Sequence, residues 1–330
     1  MNQNKVFKIL SIDGGGIKGL YSASVLSKIE EKTGKKISDN FQMICGTSTG
    51  GIIALGLAKG LTADELVNFY INKGPKIFST FKYRLIEKLN RKLLFIKQLL
   101  IRSKFSNKEL EKALIEVFGD SKLSDLKTLL CIPSFNLSTG KPRVFKNSSN
   151  TTPFFRDGNL KIVDVALSTS AAPTYFPVHS IDEDLYVDGG VWANNPALCG
   201  LFEALEHYVG EGKEYETYEI LSISSISIPS GWTYTSNKSK SFSNWKHRIF
   251  DTTLDGQSFF TDHFLKNMVN KITPKGNYIR INSPELSKKQ IETIEMDKAD
   301  KIALKTLKSL GDNVGYNYAT NKSILDMFNN

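Results

Sequence analysis

Two glycine-rich loops, each set between a short apolar run and a helical stretch, fall within the first sixty residues. Val6 to Ile12 runs into Asp13-Gly14-Gly15-Gly16, and the spacing that follows predicts a helix from about Lys18 to Thr33, closed by Gly34. Phe41 to Cys45 then reads as a second buried strand entering Gly46-Thr47-Ser48-Thr49-Gly50-Gly51, with a second helix from about Thr49. Largely apolar runs of this kind read as buried strands, with both faces covered. Such strands joined through helices form a parallel sheet with helices on either side. The class is therefore α/β.

The rest of the chain continues this plan. Leu129 to Phe135, Leu185 to Val187, Ile220 to Ile228 and Tyr278 to Ile281 read as further strands, and Leu110 to Phe118 and Asp164 to Ser170 as helices. Ser106 and Glu109 have capping-box spacing before the first of these helices. A polar stretch from Ser230 to Lys246 reads as a lid or a loop. With 40% apolar and 23% charged residues there is material for a large core, which excludes wholesale disorder. No repeat or linker divides the 330 residues, so a single domain spanning 1–330 is expected.

Cys45, Cys131 and Cys199 are odd in number and far apart, which suits neither a disulfide framework nor a zinc site; a reducing compartment is expected. The first residues lack the apolar core of a secretory signal, and no run reaches 18 apolar residues. The expected location is cytoplasmic, with peripheral membrane contact. The net charge of +9 favours anionic partners, and it is concentrated: Lys82 to Lys112 holds ten basic against three acidic residues. Leu85, Leu89, Leu93, Ile96 and Leu100 recur there at helical spacing between Lys88, Arg91, Lys92 and Lys97. The stretch is either an element that meets anionic lipid or a core-facing helix with a solvated side. Reversing those four cations to glutamate should weaken binding to anionic vesicles in a sedimentation assay if the lipid reading holds; unchanged binding would discard it. With neither a helix-turn-helix nor an aromatic RNA-binding pattern, a nucleic-acid partner is not expected.

Gly46-Thr47-Ser48-Thr49-Gly50 fits G-x-S-x-G at a strand-to-helix turn, where glycines are needed because the bend leaves no room for neighbouring Cβ atoms. Ser48 is the candidate nucleophile, and the Thr49 amide at the helix start is a candidate donor to developing negative charge. Gly14 to Gly19 fits the G-x-G-x-x-G of a dinucleotide loop, but that loop wants an acidic residue at the end of the next strand, and this strand ends at Cys45. The other reading makes Gly14, Gly15 and Gly16 an oxyanion hole for Ser48. None of His179, His207, His247 and His263 lies beside a glycine turn. Asp188 does, closing a short strand before Gly189-Gly190, and is either a carboxylate base or a turn-forming residue. Asn194 and Asn195 could orient Asp188 or cap the next helix, and Lys18 is either a phosphate-attracting cation or a solvated one.

A glycine loop, then G-T-S-T-G, then D-G-G about 140 residues later resembles the patatin-like phospholipases. The stretches that carry the likeness are SIDGGGIKGLYSASVL, ICGTSTGGIIALGLA, STSAAPTYFPV and YVDGGVWANNPA, over roughly Ile9 to Leu198. The resemblance implies a three-layer α/β/α sandwich on a mostly parallel sheet, its motif-bearing core about residues 8–200, with 201–330 completing the sheet and adding helices. It implies a phospholipase A-type hydrolase with Ser48 as nucleophile, Asp188 as base and the Gly14 to Gly19 loop as oxyanion hole, with Gly46, Gly50, Gly189 and Gly190 shaping the turns. No metal and no cofactor are implied. More loosely, the chain is similar to bacterial anti-phage effectors that degrade the host inner membrane once a cyclic oligonucleotide binds, which brings in an activator and homo-oligomers as expected partners. The rival expectations are a storage-type lipid- or nucleotide-binding relative without activity and an esterase with a Ser-His-Asp triad.

Overall fold

In the first strand, β1 (Val6–Ile12), Phe7 and Ile9 point to one side and Leu10 and Ile12 to the other, and all four are buried. Alternate residues of a strand face opposite ways, so an apolar strand buried throughout must carry a layer on each face. Phe7 and Ile9 join one apolar cluster with Met43, Cys45, Tyr218 and Ile220, whereas Leu10 and Ile12 join another with Ile44, Ile132, Leu221 and Ile223. The computed structural model of the chain describes residues 5–79, 103–147, 157–228, 234, 238, 239, 245 and 248–329. The basic stretch around Lys88 to Lys97, His247 and most of Ser230 to Lys246 lie outside the described residues.

Among the described residues the sheet has eight strands. They are β1, β2 (Met43–Gly46), β3 (Leu129–Asn136), β4 (Lys141–Phe145), β5 (His179–Ile181), β6 (Asp184–Asp188), β7 (Thr217–Ile223) and β8 (Gly276–Ile281), in the order β5-β6-β3-β2-β1-β7-β8 with β4 paired to β3. From β3 to β8 along this order the pairings are parallel; β4, β5 and β6 form an antiparallel flank. Residues beyond 201 thus supply two strands of the sheet, β7 and β8.

One face carries α1 (Gly19–Thr33), α2 (Thr49–Ala58), α3 (Ala63–Ile77), α4 (Lys108–Phe118), α5 (Ile162–Thr169) and, further along the chain, Lys301–Tyr318. The other carries Ala197–His207 and Arg248–Met268. This is the expected three-layer α/β/α arrangement. Two local expectations are corrected. β7 ends at Ile223 rather than Ile228, because its partner β1 ends at Ile12, opposite Ile223, and the chain beyond Ile12 has turned away into the glycine loop. The capping box at Ser106 does not form: α4 begins at Lys108, whose amide reaches the Ser106 hydroxyl at 3.3 Å, so Glu109 already lies within the first turn.

Candidate active site

At the end of β2 the chain reverses into α2 within a few residues. Ser48, the residue at the bend, takes φ 55° and ψ −123°, a conformation that side chains other than glycine adopt only under constraint. The constraint is local crowding: a Cβ at Gly46 would drive into the Gly50 carbonyl, and one at Gly50 into the Ile12 carbonyl. The Ser48 amide donates to the Thr169 hydroxyl at 3.0 Å, and that hydroxyl donates to the Pro133 carbonyl at 2.6 Å. Thr47 donates to the Ala193 carbonyl at 2.6 Å. The elbow is therefore tied to β3, to the end of α5 and to the turn after β6.

β6 runs antiparallel to β3 with Asp188 opposite Ser134, and the turn beyond it brings the Asp188 carboxylate within hydrogen-bonding reach of the Ser48 side chain. Asp188 is 1% exposed. Its Oδ1 accepts from the Gly190 amide at 2.7 Å, and among the described residues no cation acts on it. Burial pushes its carboxyl up to about 7, and the bonds from Ser48 and Gly190 pull only partly against this. Gly189 is held against the Pro133 carbonyl, where a Cβ would not fit.

The glycine loop lies on the other side of Ser48. The Gly14 amide donates to the Asn194 carbonyl at 3.1 Å, so it is committed and does not serve as a free donor, which corrects the expectation for that residue. The amides of Gly15 and Gly16 have no acceptor among the described residues, and both residues line the cavity that holds Ser48 and Asp188. Thr49 opens α2, so its amide has no acceptor within the helix. The Thr49 hydroxyl meets the Tyr70 hydroxyl, which also donates to the Thr49 carbonyl at 3.1 Å, and Gly19 packs against the Thr49 side chain.

The cavity is otherwise apolar, walled by Ile52, Phe69, Ile77, Phe78, Leu110 and Phe176 among others. Phe78, Phe105 and Phe176 pack as an aromatic cluster with centroids 5.6 to 6.0 Å apart. A carboxylate, a hydroxyl and unpartnered amides at the mouth of an apolar cavity suit an ester whose acyl part is a hydrocarbon chain. His179 pairs with Asp164 at 3.2 Å, His207 lies beside Glu203, and His263 stacks on Phe259; none lines this cavity. Asn195 Oδ1 accepts from the Ala197 amide at 3.1 Å, so it caps the following helix, whereas the Asn194 side chain donates to Ser258 at 2.9 Å.

Sequence reasoning missed Thr169, Tyr70 and Arg280. Thr169 lies inside the STSAAP stretch, whose likeness to the family was a signal without a role attached. Arg280 had no signal. From β8 it grips Asp13, the residue that opens the glycine loop, through Nη1 at 3.2 Å and Nη2 at 2.6 Å, and Nη1 also donates to Ser222 at 2.6 Å. Both side chains are buried, at 6% and 2% exposure. Burial pushes the Asp13 carboxyl above its ordinary value although Arg280 pulls it down. Arg280→Met would leave that carboxylate buried and unpaired, and should lower stability at pH 7 by about 3–5 kcal/mol, read from the urea midpoint. A midpoint within error of wild type would show that the pair contributes nothing.

Fold and cavity together are those of a lipid-hydrolysing enzyme. The chain belongs to the patatin-like phospholipase family, whose sequence profile matches residues 10–198. It is 32% identical over 306 residues to a cGAMP-activated phospholipase of Pseudomonas aeruginosa, covering 93% of this chain and 87% of that one. The cGAMP-activated phospholipase of Vibrio cholerae is 34% identical, with 97% and 94% covered, and that of Escherichia coli 30%, with 97% and 92% covered. Among the described residues no helix is long and apolar enough to cross a membrane, and no group of three or more potential metal ligands occurs.

Proposed function

We propose that the chain is a phospholipase A-type acyl hydrolase that works through a Ser48–Asp188 dyad and is switched on by a cyclic oligonucleotide. The observation that carries the dyad is the buried Asp188 carboxylate within reach of Ser48 in a cavity that no described histidine lines. Ser48 Oγ attacks the ester carbonyl while its proton passes to the Asp188 carboxylate. The carbonyl oxygen, now negative, is held by the amides of Gly15, Gly16 and Thr49, donors already in place before reaction. The tetrahedral intermediate collapses, Asp188 returns the proton to the departing lysophospholipid oxygen, and acyl-Ser48 remains. Water then gives a proton to Asp188 and attacks the acyl carbonyl; collapse releases fatty acid and Ser48 recovers its proton from Asp188. No step calls for a metal ion.

Activation is taken from the bacterial relatives, whose names record cGAMP as their activator. In this reading the protein resides in the cytoplasm and reaches the inner membrane peripherally, through the basic stretch between Lys82 and Lys112, as a monomer or after self-assembly. The test is fatty-acid release from vesicles of phosphatidylethanolamine and phosphatidylglycerol, with and without cGAMP. Release that rises with the nucleotide supports both parts. Equal release in its absence removes the activation, and no release in either condition removes the hydrolase.

A further inference from the structure

Beside the catalytic cavity, a second and more polar one of about 620 Å³ opens along the glycine loop. Its position follows from the strand order. From β1 the chain proceeds outward through β2 and β3, and later returns to place β7 on the other side of β1. The carboxyl ends of β1 and β7 therefore diverge, and the loops leaving them, Asp13 to Lys18 and Ser224 to Ile228, part to leave a crevice. Lys18 stands in it. Its Nζ donates to the Ile226 carbonyl at 2.9 Å, yet it forms no ion pair within 4 Å among the described residues. Burial draws its pKa down, with Asp255 and Asp251 acting against this only from a distance.

Three carboxylates of the crevice wall are held by other cations: Asp13 by Arg280, Asp297 by Lys104 and Asp262 by Lys266. A half-buried ammonium bonded only to a carbonyl gains most from an anion. The serines of the β7 loop, Ser224 and Ser225, whose buried hydroxyls have no partner among the described residues, offer acceptors to the N–H edges of a base. We infer that this crevice is a phosphodiester site anchored on Lys18, and that its occupant is the activating cyclic dinucleotide. The inference rests on the activation proposed above. A lipid headgroup presents the same phosphodiester, but it would fill only a small part of such a volume.

The site is coupled to the chemistry by the loop itself. Lys18 lies two residues beyond Gly16, Gly15 packs against Ser225, and the Ile17 amide donates to the Met296 carbonyl at 2.8 Å. Met296, Tyr175 and Leu254 line both cavities. An occupant that draws Lys18 away from Ile226 thus acts on the two amides that hold the oxyanion.

The test is calorimetric titration of cGAMP, and separately of glycerophosphoethanolamine, into the full-length Ser48→Ala protein, which binds without turnover. Lys18→Met removes the cation. Ser227→Glu, at an exposed position on the rim, adds a repelling charge where folding is not at risk, and Lys59→Met, away from the crevice, is the control. Both crevice variants should bind cGAMP at least about ten-fold more weakly, with Lys59→Met unchanged. Weakened binding of glycerophosphoethanolamine alone would keep the phosphodiester site and reassign its occupant to the substrate headgroup. Unaltered cGAMP affinity in both variants would overturn the site while leaving nucleotide activation standing. A wild-type protein that hydrolyses lipid but neither binds nor responds to cGAMP would overturn the activation, and the nucleotide assignment with it.

Discussion

Ser48→Ala should lower fatty-acid release from phospholipid vesicles by at least about 10⁴-fold, to the level that oxyanion donors and substrate binding sustain without a nucleophile. The loss is expected in kcat, because the Ser48 hydroxyl acts on the carbonyl and contributes little to holding the acyl chain in its apolar cavity. Folding should be retained. The Ser48 amide, not its hydroxyl, makes the bond to Thr169 that secures the elbow, and alanine keeps that amide. Alanine also demands the same φ of 55°, so part of the strain persists. A variant with the melting temperature of wild type and more than a tenth of its activity would remove Ser48 from the mechanism.

Asp188→Asn is the second large effect, and it has opposite signs for activity and stability. A base accepts a proton only when it is deprotonated. With its carboxyl pushed up to about 7, hydrolysis by wild type should rise with pH through that region and level off above it. Asparagine accepts no proton, so release should fall by about 10³–10⁴-fold at pH 8 and lose this rising limb.

Stability runs the other way. The folded-state carboxyl lies above its ordinary value of 3.8, so the folded protein binds a proton that the unfolded chain releases. That contribution is complete below pH about 4 and is lost as the pH rises through about 7. Above this, the ionised carboxylate costs on the order of 4 kcal/mol. Asparagine removes the charge while its side-chain oxygen can still accept from Gly190. Asp188→Asn should therefore melt above wild type at pH 8.5, with the gap closing toward pH 4. A lower melting temperature at pH 8.5 would mean that the carboxylate is held by compensating bonds and is not a strained base.

The alternation of strands and helices was legible because it is written locally. Val6 to Ile12 is largely apolar, and the run that begins at Asp184 reaches Asp188 within five residues and turns at Gly189-Gly190. Where a boundary depended on a distant partner the sequence misled: the β-branched run through Ile228 has every local property of a strand, yet it stops at Ile223 where β1 stops. Among the site residues, Ser48 and the glycines could be found from their turn chemistry. Asp188 could be named but not distinguished from an ordinary turn residue until its burial and its approach to Ser48 were seen.

Sequence alone determined the class of fold, the elbow that carries Ser48, and the three motifs in their order, since turn geometry and apolar patterning act over a few residues. Tertiary structure decided everything that needed two distant segments to meet. The antiparallel β6 delivers Asp188 to a serine 140 positions earlier, Thr169 secures the elbow's amide, and Arg280 holds Asp13 across 267 positions. It also decided that Gly14 is spent on Asn194 while Gly15 and Gly16 find no acceptor among the described residues, a distinction that three adjacent glycines cannot carry in their sequence. Such pairings are set by strand order and burial, which select one partner for each buried polar group only once the sheet has closed around it.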